Sequence, residues 1–119
     1  DARRFELGTP ATGAAYTAAG GLSIMLEAGI DEIQARNEVL SADLRDRLKA
    51  EGYSLHQSPD RTERSSLVLI EHPDAAGAVA GLAKGGVIAD HRGSLLRFSP
   101  HFYNCFEDNE HAVELLTDI

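Results

Sequence analysis

Ile33, Leu40, Leu44 and Leu48 fall on one side of a 3.6-residue repeat, with Arg36, Glu38, Arg45 and Asp46 on the other, and Gly52 follows as a stop. A helix with a single apolar stripe must bury it against another layer. Beyond Gly52 the period shortens and that layer becomes visible. Tyr53-Ser54-Leu55 is a short strand candidate, the polar run "SPDRTERS" a loop, and Ser66-Leu67-Val68-Leu69-Ile70 a buried strand.

"HPDAAGAVAGLAKGG" then predicts a short helix closed by Gly85-Gly86. Val87-Ile88-Ala89 and Leu95-Leu96-Arg97-Phe98 predict two strands joined by a turn through His91-Arg92-Gly93. A last helix runs from Glu107 to the end, with Ala112, Val113, Leu115, Leu116 and Ile119 on its apolar side. Ahead of all this, residues 10–29 predict an alanine-rich helix, with Pro10 in its first turn and Leu22, Met25 and Leu26 at helical spacing. Gly20-Gly21 weakens it locally and marks a possible kink site. The order implies an α+β fold: a small, mainly antiparallel sheet covered by helices, preceded by a long helical segment.

The 119 residues fit one domain with a modest core. With 11 basic against 19 acidic residues, the formal charge of −8 argues against a nucleic-acid partner, whose phosphates need counterion replacement. No apolar run reaches the roughly 20 residues of a membrane span and no leader pattern is present. The expectation is a cytoplasmic protein with no membrane partner. Cys105 is the only cysteine and has no internal disulfide partner. The opening Asp1-Ala2-Arg3-Arg4 lacks an initiator methionine and the stop at Leu115–Ile119 falls inside a periodic segment, so a piece of a larger polypeptide is expected.

Arg97 has the most to explain, since it interrupts an apolar strand. Its stem could simply cover apolar surface. Alternatively, a guanidinium in a partly dry pocket binds a carboxylate through two parallel hydrogen bonds, and burying it without an anion is costly. A buried Arg97 therefore predicts an anionic ligand or partner. His56, His72, His91, His101 and His111 lack metal-ligand spacing and read as loop histidines. Asp90-His91-Arg92 looks like a catalytic cluster, but adjacent strand residues point to opposite faces, and a turn explains it as well. Cys105 precedes a helix, where a thiolate could be stabilised, although burial as a small apolar residue is the commoner role. Gly8-Thr9-Pro10 lies just ahead of a helix start, where backbone N–H groups and a hydroxyl can cap the helix or hold a phosphate.

"RRFELGTPATGAAYTAAGGLSIMLEAGIDEIQARNEVLSADLRDRL" resembles the entry to the C-terminal small domain of class V aminotransferase-like, fold-type I pyridoxal-phosphate enzymes, with their "RFE-x-GTP" followed by two helices. "GVIADHRGSLLRFSPHFYN" is similar to the kynureninase branch, where "GV-x-x-D-x-R" precedes "(I/L)R-x-x-P-x-x-YN". The resemblance covers nearly the whole chain. It implies that residues 1–119 are the C-terminal small domain of a larger pyridoxal 5'-phosphate enzyme whose cofactor-binding large domain lies elsewhere in the polypeptide. It implies that Arg97 binds the α-carboxylate of an amino-acid substrate. Thr9, with Gly8 beside it, would reach the cofactor phosphate of the neighbouring subunit in a homodimer.

Tyr103 and Asn104 match the family "YN" and are expected to support the strand end. Arg92 has a counterpart without an assigned role. The loop from Asp90 to Leu96 lacks the cysteine of the desulfurases, and Cys105 does not fit that role, so desulfurase activity is disfavoured. Neither Lys49 nor Lys84 has the context of the family's Schiff-base lysine, so this chain alone is expected to be inactive. Kynureninase-like hydrolysis, transamination or lyase chemistry remain open for the complete enzyme. The competing expectation is a freestanding, non-catalytic α+β binding or dimerisation module that joins a partner through the helix from Ile33 to Leu48.

Overall fold

A computed structural model describes residues 8–119, so the Arg4-Phe5-Glu6 part of the first motif lies outside the described residues. The chain divides into two compact units, Asp1–Ile33 and Gln34–Ile119. In the first, α1 (Thr12–Ala28) runs unbroken through Gly20-Gly21 and buries none of its residues, with Leu22 and Leu26 exposed. A glycine costs about 1 kcal/mol of helix propensity without forbidding helical angles, so the pair does not end the helix. Gly29, at φ +85°, ends the helix by donating its N–H to Met25 O at 3.0 Å. α2 (Ile30–Ala50) starts one residue later.

The second unit holds the core. Leu40, Leu44 and Leu48 of α2 are buried, as their spacing predicts. Arg45 departs from its expected place on the polar side: it is only 9% exposed. Three antiparallel strands, β1 (Val68–Glu71), β2 (Asp90–Arg92) and β3 (Leu95–Phe98), form a sheet in the order β1-β3-β2. Val68 pairs with Phe98 and Ile70 with Leu96, and this face packs on Leu44 and Leu48. It also packs on α3 (Ala75–Lys84) through Ala75, Ala78 and Leu82, and on α4 (Phe106–Thr117) through Ala112, Val113 and Leu116. Alternation leaves Leu69, Leu95 and Arg97 half-buried on the opposite face.

The predicted strand Val87–Ala89 is a correction: the strand is Asp90–Arg92, and Ile88 is 96% exposed. The turn lies later than His91-Arg92-Gly93. Gly93, at φ +59°, and Ser94 make a two-residue link, a length that favours glycine in the left-handed region. The predicted strand at Tyr53–Leu55 is reduced to a single bridge between Leu55 and Ile70. Within "SPDRTERS" the Asp60 carboxylate accepts from Thr62 N–H and caps a short 3-10 turn, Arg61–Glu63.

Caps explain where the later helices begin. Asp74 accepts from Gly77 N–H at 2.9 Å to start α3, and Asp108 accepts from Cys105 N–H at 2.9 Å to start α4. Asn109, buried on α4, donates to Leu40 O and to Asp43 Oδ2 and so ties α4 to α2.

Candidate carboxylate-binding site

The two-residue link sets the register of the hairpin. With Arg92 opposite Leu95, Asp90 falls opposite Arg97. Arg97 Nη2 donates to Asp90 Oδ2 at 2.6 Å, a charge-assisted bond across the face of the sheet turned away from the core. The other carboxylate oxygen, Oδ1, accepts from His91 N–H at 2.8 Å, and Arg92 Nη2 stands 3.9 Å from Oδ2. That backbone bond first, then the Arg97 and Arg92 guanidiniums, hold the Asp90 carboxyl below the usual carboxylate range.

The arginine that interrupts an apolar strand is thus neither deeply buried nor splayed into water, its side chain being 32% exposed. The anion it meets within the chain is Asp90, which lies in β2 rather than in a turn. Two guanidiniums, Arg97 and Arg92, face the one Asp90 carboxylate, with Glu71 on the same sheet face beyond Leu95. Among the described residues, Arg97 Nε and Nη1 donate no hydrogen bond. A guanidinium has five N–H donors, and a single contact leaves enough of them for a second, two-point carboxylate.

Tyr103 and Asn104 were expected to support the strand end; beyond β3, Asn104 instead bonds within the turn and to α4. Its Oδ1 accepts from His101 N–H at 3.0 Å, its N–H donates to His101 O at 2.8 Å, and its Nδ2 donates to Asp108 Oδ2. Arg36 Nη2 donates to Asn104 O at 3.0 Å while its guanidinium lies 4.8 Å from the Phe106 ring centroid. The Tyr103 ring stacks on His101 at 5.1 Å.

Other candidate residues lie apart from this cluster in role. Cys105 is exposed rather than buried, and its hydrogen bond to the Glu107 side chain pushes the thiol pKa up, against a reactive thiolate and against the lowering effect of the Asp108 backbone N–H. Gly8 and Thr9 are exposed just ahead of α1, in the first unit, and Gly8 has φ +133°. Lys49 and Lys84 lie exposed in the last turns of α2 and α3. Among the described residues no helix is long and apolar enough to cross a membrane.

Asp90 was the residue that sequence reasoning undervalued. Its signal was present: a link centred on Gly93-Ser94 pairs positions whose numbers sum to that of Arg92 and Leu95, and Asp90 with Arg97 satisfies it.

Residues 31–116 match the family described as "Kynureninase C-terminal domain". The chain is 32% identical over 113 residues to the "Uncharacterized aminotransferase YcbU" of Bacillus subtilis (strain 168), covering 95% of this chain and 30% of that protein. It is 27% identical over 121 residues to the kynureninase of Geobacillus thermodenitrificans (strain NG80-2), covering 97% of this chain and 28% of that protein. Its fold matches the apo cysteine desulfurase from Thermococcus onnurineus NA1 with a TM-score of 0.82 at 21% identity, over 98% of this chain and 34% of that one. The chain thus spans about a third of the length of the relatives it matches. On the matched residues, and with the α+β architecture in agreement, the chain belongs to the kynureninase C-terminal domain family of the class V pyridoxal-phosphate enzymes.

Proposed function

We propose that this chain is the substrate-carboxylate-binding small domain of a pyridoxal-phosphate enzyme acting on an amino acid, and that Arg97 grips the α-carboxylate. The observation that carries the reading is the Arg97 guanidinium, held on the sheet face opposite the core by one bond and, among the described residues, with Nε and Nη1 donating none. The family membership supplies the substrate class. Holding the carboxylate contributes binding energy remote from the bond that reacts and orients that bond. A large domain of the same polypeptide would provide the cofactor and its lysine. In a homodimer, Thr9 and Gly8 would approach the cofactor phosphate of the neighbouring subunit. The reaction, in the cytoplasm, would be a hydrolysis, transamination or lyase step.

The freestanding module is the weaker reading. It needed the stripe from Ile33 to Leu48 for a partner, and Leu40, Leu44 and Leu48 are buried in the chain's own second unit.

The test uses the complete polypeptide loaded with pyridoxal phosphate and a panel of L-amino acids. Arg97→Ala is expected to lower kcat/KM for the best of them by about 100-fold or more, the range for losing charged hydrogen bonds, with cofactor absorbance unchanged. Arg97→Lys should restore little, since an ammonium cannot make the paired contact. Unchanged kinetics in Arg97→Ala would remove the residue from the site.

A further inference from the structure

We infer that Asp90 is a positioning residue for that site: its carboxylate, itself pinned by a backbone N–H, holds the Arg97 guanidinium in the orientation that receives a substrate carboxylate. The inference rests on the proposed role of Arg97 and goes beyond it. Three observations carry it. Asp90 and Arg97 are directly opposed across the β2–β3 ladder, so the pair is fixed by backbone register. Contact is made through a single oxygen at 2.6 Å, and among the described residues no other hydrogen bond reaches the guanidinium, so the second N–H of Nη2 can still pair in parallel with Nε or Nη1. The remaining oxygen is bonded to His91 N–H at 2.8 Å, so the carboxylate cannot swing freely to chelate the guanidinium from two sides.

An arginine with several rotatable bonds loses conformational freedom when it clamps a ligand. Here Asp90 has already restricted it. Arg92, 3.9 Å from the shared oxygen, offsets the negative charge that Asp90 brings, so a second carboxylate is not repelled from the pair.

The experiment measures binding of L-alanine and of ethylamine, its analogue without the carboxylate, to the complete pyridoxal-phosphate-loaded protein by calorimetry. The ratio of the two affinities reports the carboxylate contact alone. Asp90→Asn is expected to cut the wild-type preference for L-alanine about tenfold through the alanine arm only, with the ethylamine affinity unchanged. Asp90→Ser should do the same, which guards against one poorly folding variant. Adding Asp90→Asn to Arg97→Ala should change nothing further, because Asp90 acts through Arg97.

A preference kept within twofold in both Asp90 variants, or strengthened by them, overturns the positioning role, provided Arg97→Ala abolishes the preference. If Arg97→Ala keeps the preference, or the wild type has none, the reading of Arg97 itself fails and the role of Asp90 falls with it.

Discussion

Arg45 and Arg97 are two arginines handled in opposite ways. Arg45 is buried and, among the described residues, meets no carboxylate: Nη1 donates to Ser41 Oγ at 3.0 Å, and Nη2 to the carbonyls of Ser65 at 2.7 Å and Leu67 at 3.2 Å. Burial, then the neighbouring Arg64, lowers its pKa. Neutral acceptors consume its donors, so it serves as a brace between α2 and the entry to β1. Arg97 instead has one carboxylate and donors to spare. Replacing Arg45 by Met is expected to destabilise the fold by about 2 kcal/mol, because acceptors are left unpaired. Urea unfolding should show the lower midpoint with the slope unchanged. That replacement should leave the carboxylate preference of the complete protein intact, in contrast to Arg97→Ala.

The hairpin is the element on which the site depends. Its two-residue link requires a left-handed residue at Gly93, and a β-branched side chain there is strained. Gly93→Val is expected to cost about 1–2 kcal/mol and to loosen the register that sets Asp90 against Arg97. Amide exchange of β2 and β3 should speed up in this variant, whereas Gly93→Asn, which tolerates the same angles, should stay close to the parent. The cap of α3 is independent of the site. Asp74→Ala removes the acceptor for Gly77 N–H, and a loss of about 1 kcal/mol is expected in the same urea measurement. Both elements were partly legible. The Asp74 cap and the glycines that follow α3 are local signals, while the start of β2 was displaced because Val87-Ile88-Ala89 is the more apolar run. Its Val87 and Ala89 do pack against the core, but from outside the ladder.

Across the molecule, several carboxyls are held below their ordinary range by backbone N–H bonds before any charge acts: Asp60 through Thr62, Asp90 through His91, and Asp108 through Cys105. A depressed folded-state pKa means that the unfolded chain binds protons first. Their stabilisation is therefore complete above the unfolded value near pH 4 and is lost as pH falls through the lower folded values. Urea midpoints should be flat over this contribution above about pH 5 and drop below it, and Asp108→Asn should flatten part of that acid limb.

The helices, their stops and the layer they cover were readable because apolar period, capping side chains and glycines act within a few residues of one another, and the family motifs were contiguous. The burial of Arg45 was not, and the pairing of Asp90 with Arg97 follows only once the two-residue link at Gly93-Ser94 is placed. Arg45 depends on carbonyls 20 and 22 residues away, and the ion pair on a register that a one-residue slip would turn to the other face. Contacts of that kind are settled by how the chain closes on itself: Arg45 meets residues far along the chain, and Asp90 and Arg97, though one hairpin holds both, meet only in the register that the folded sheet fixes.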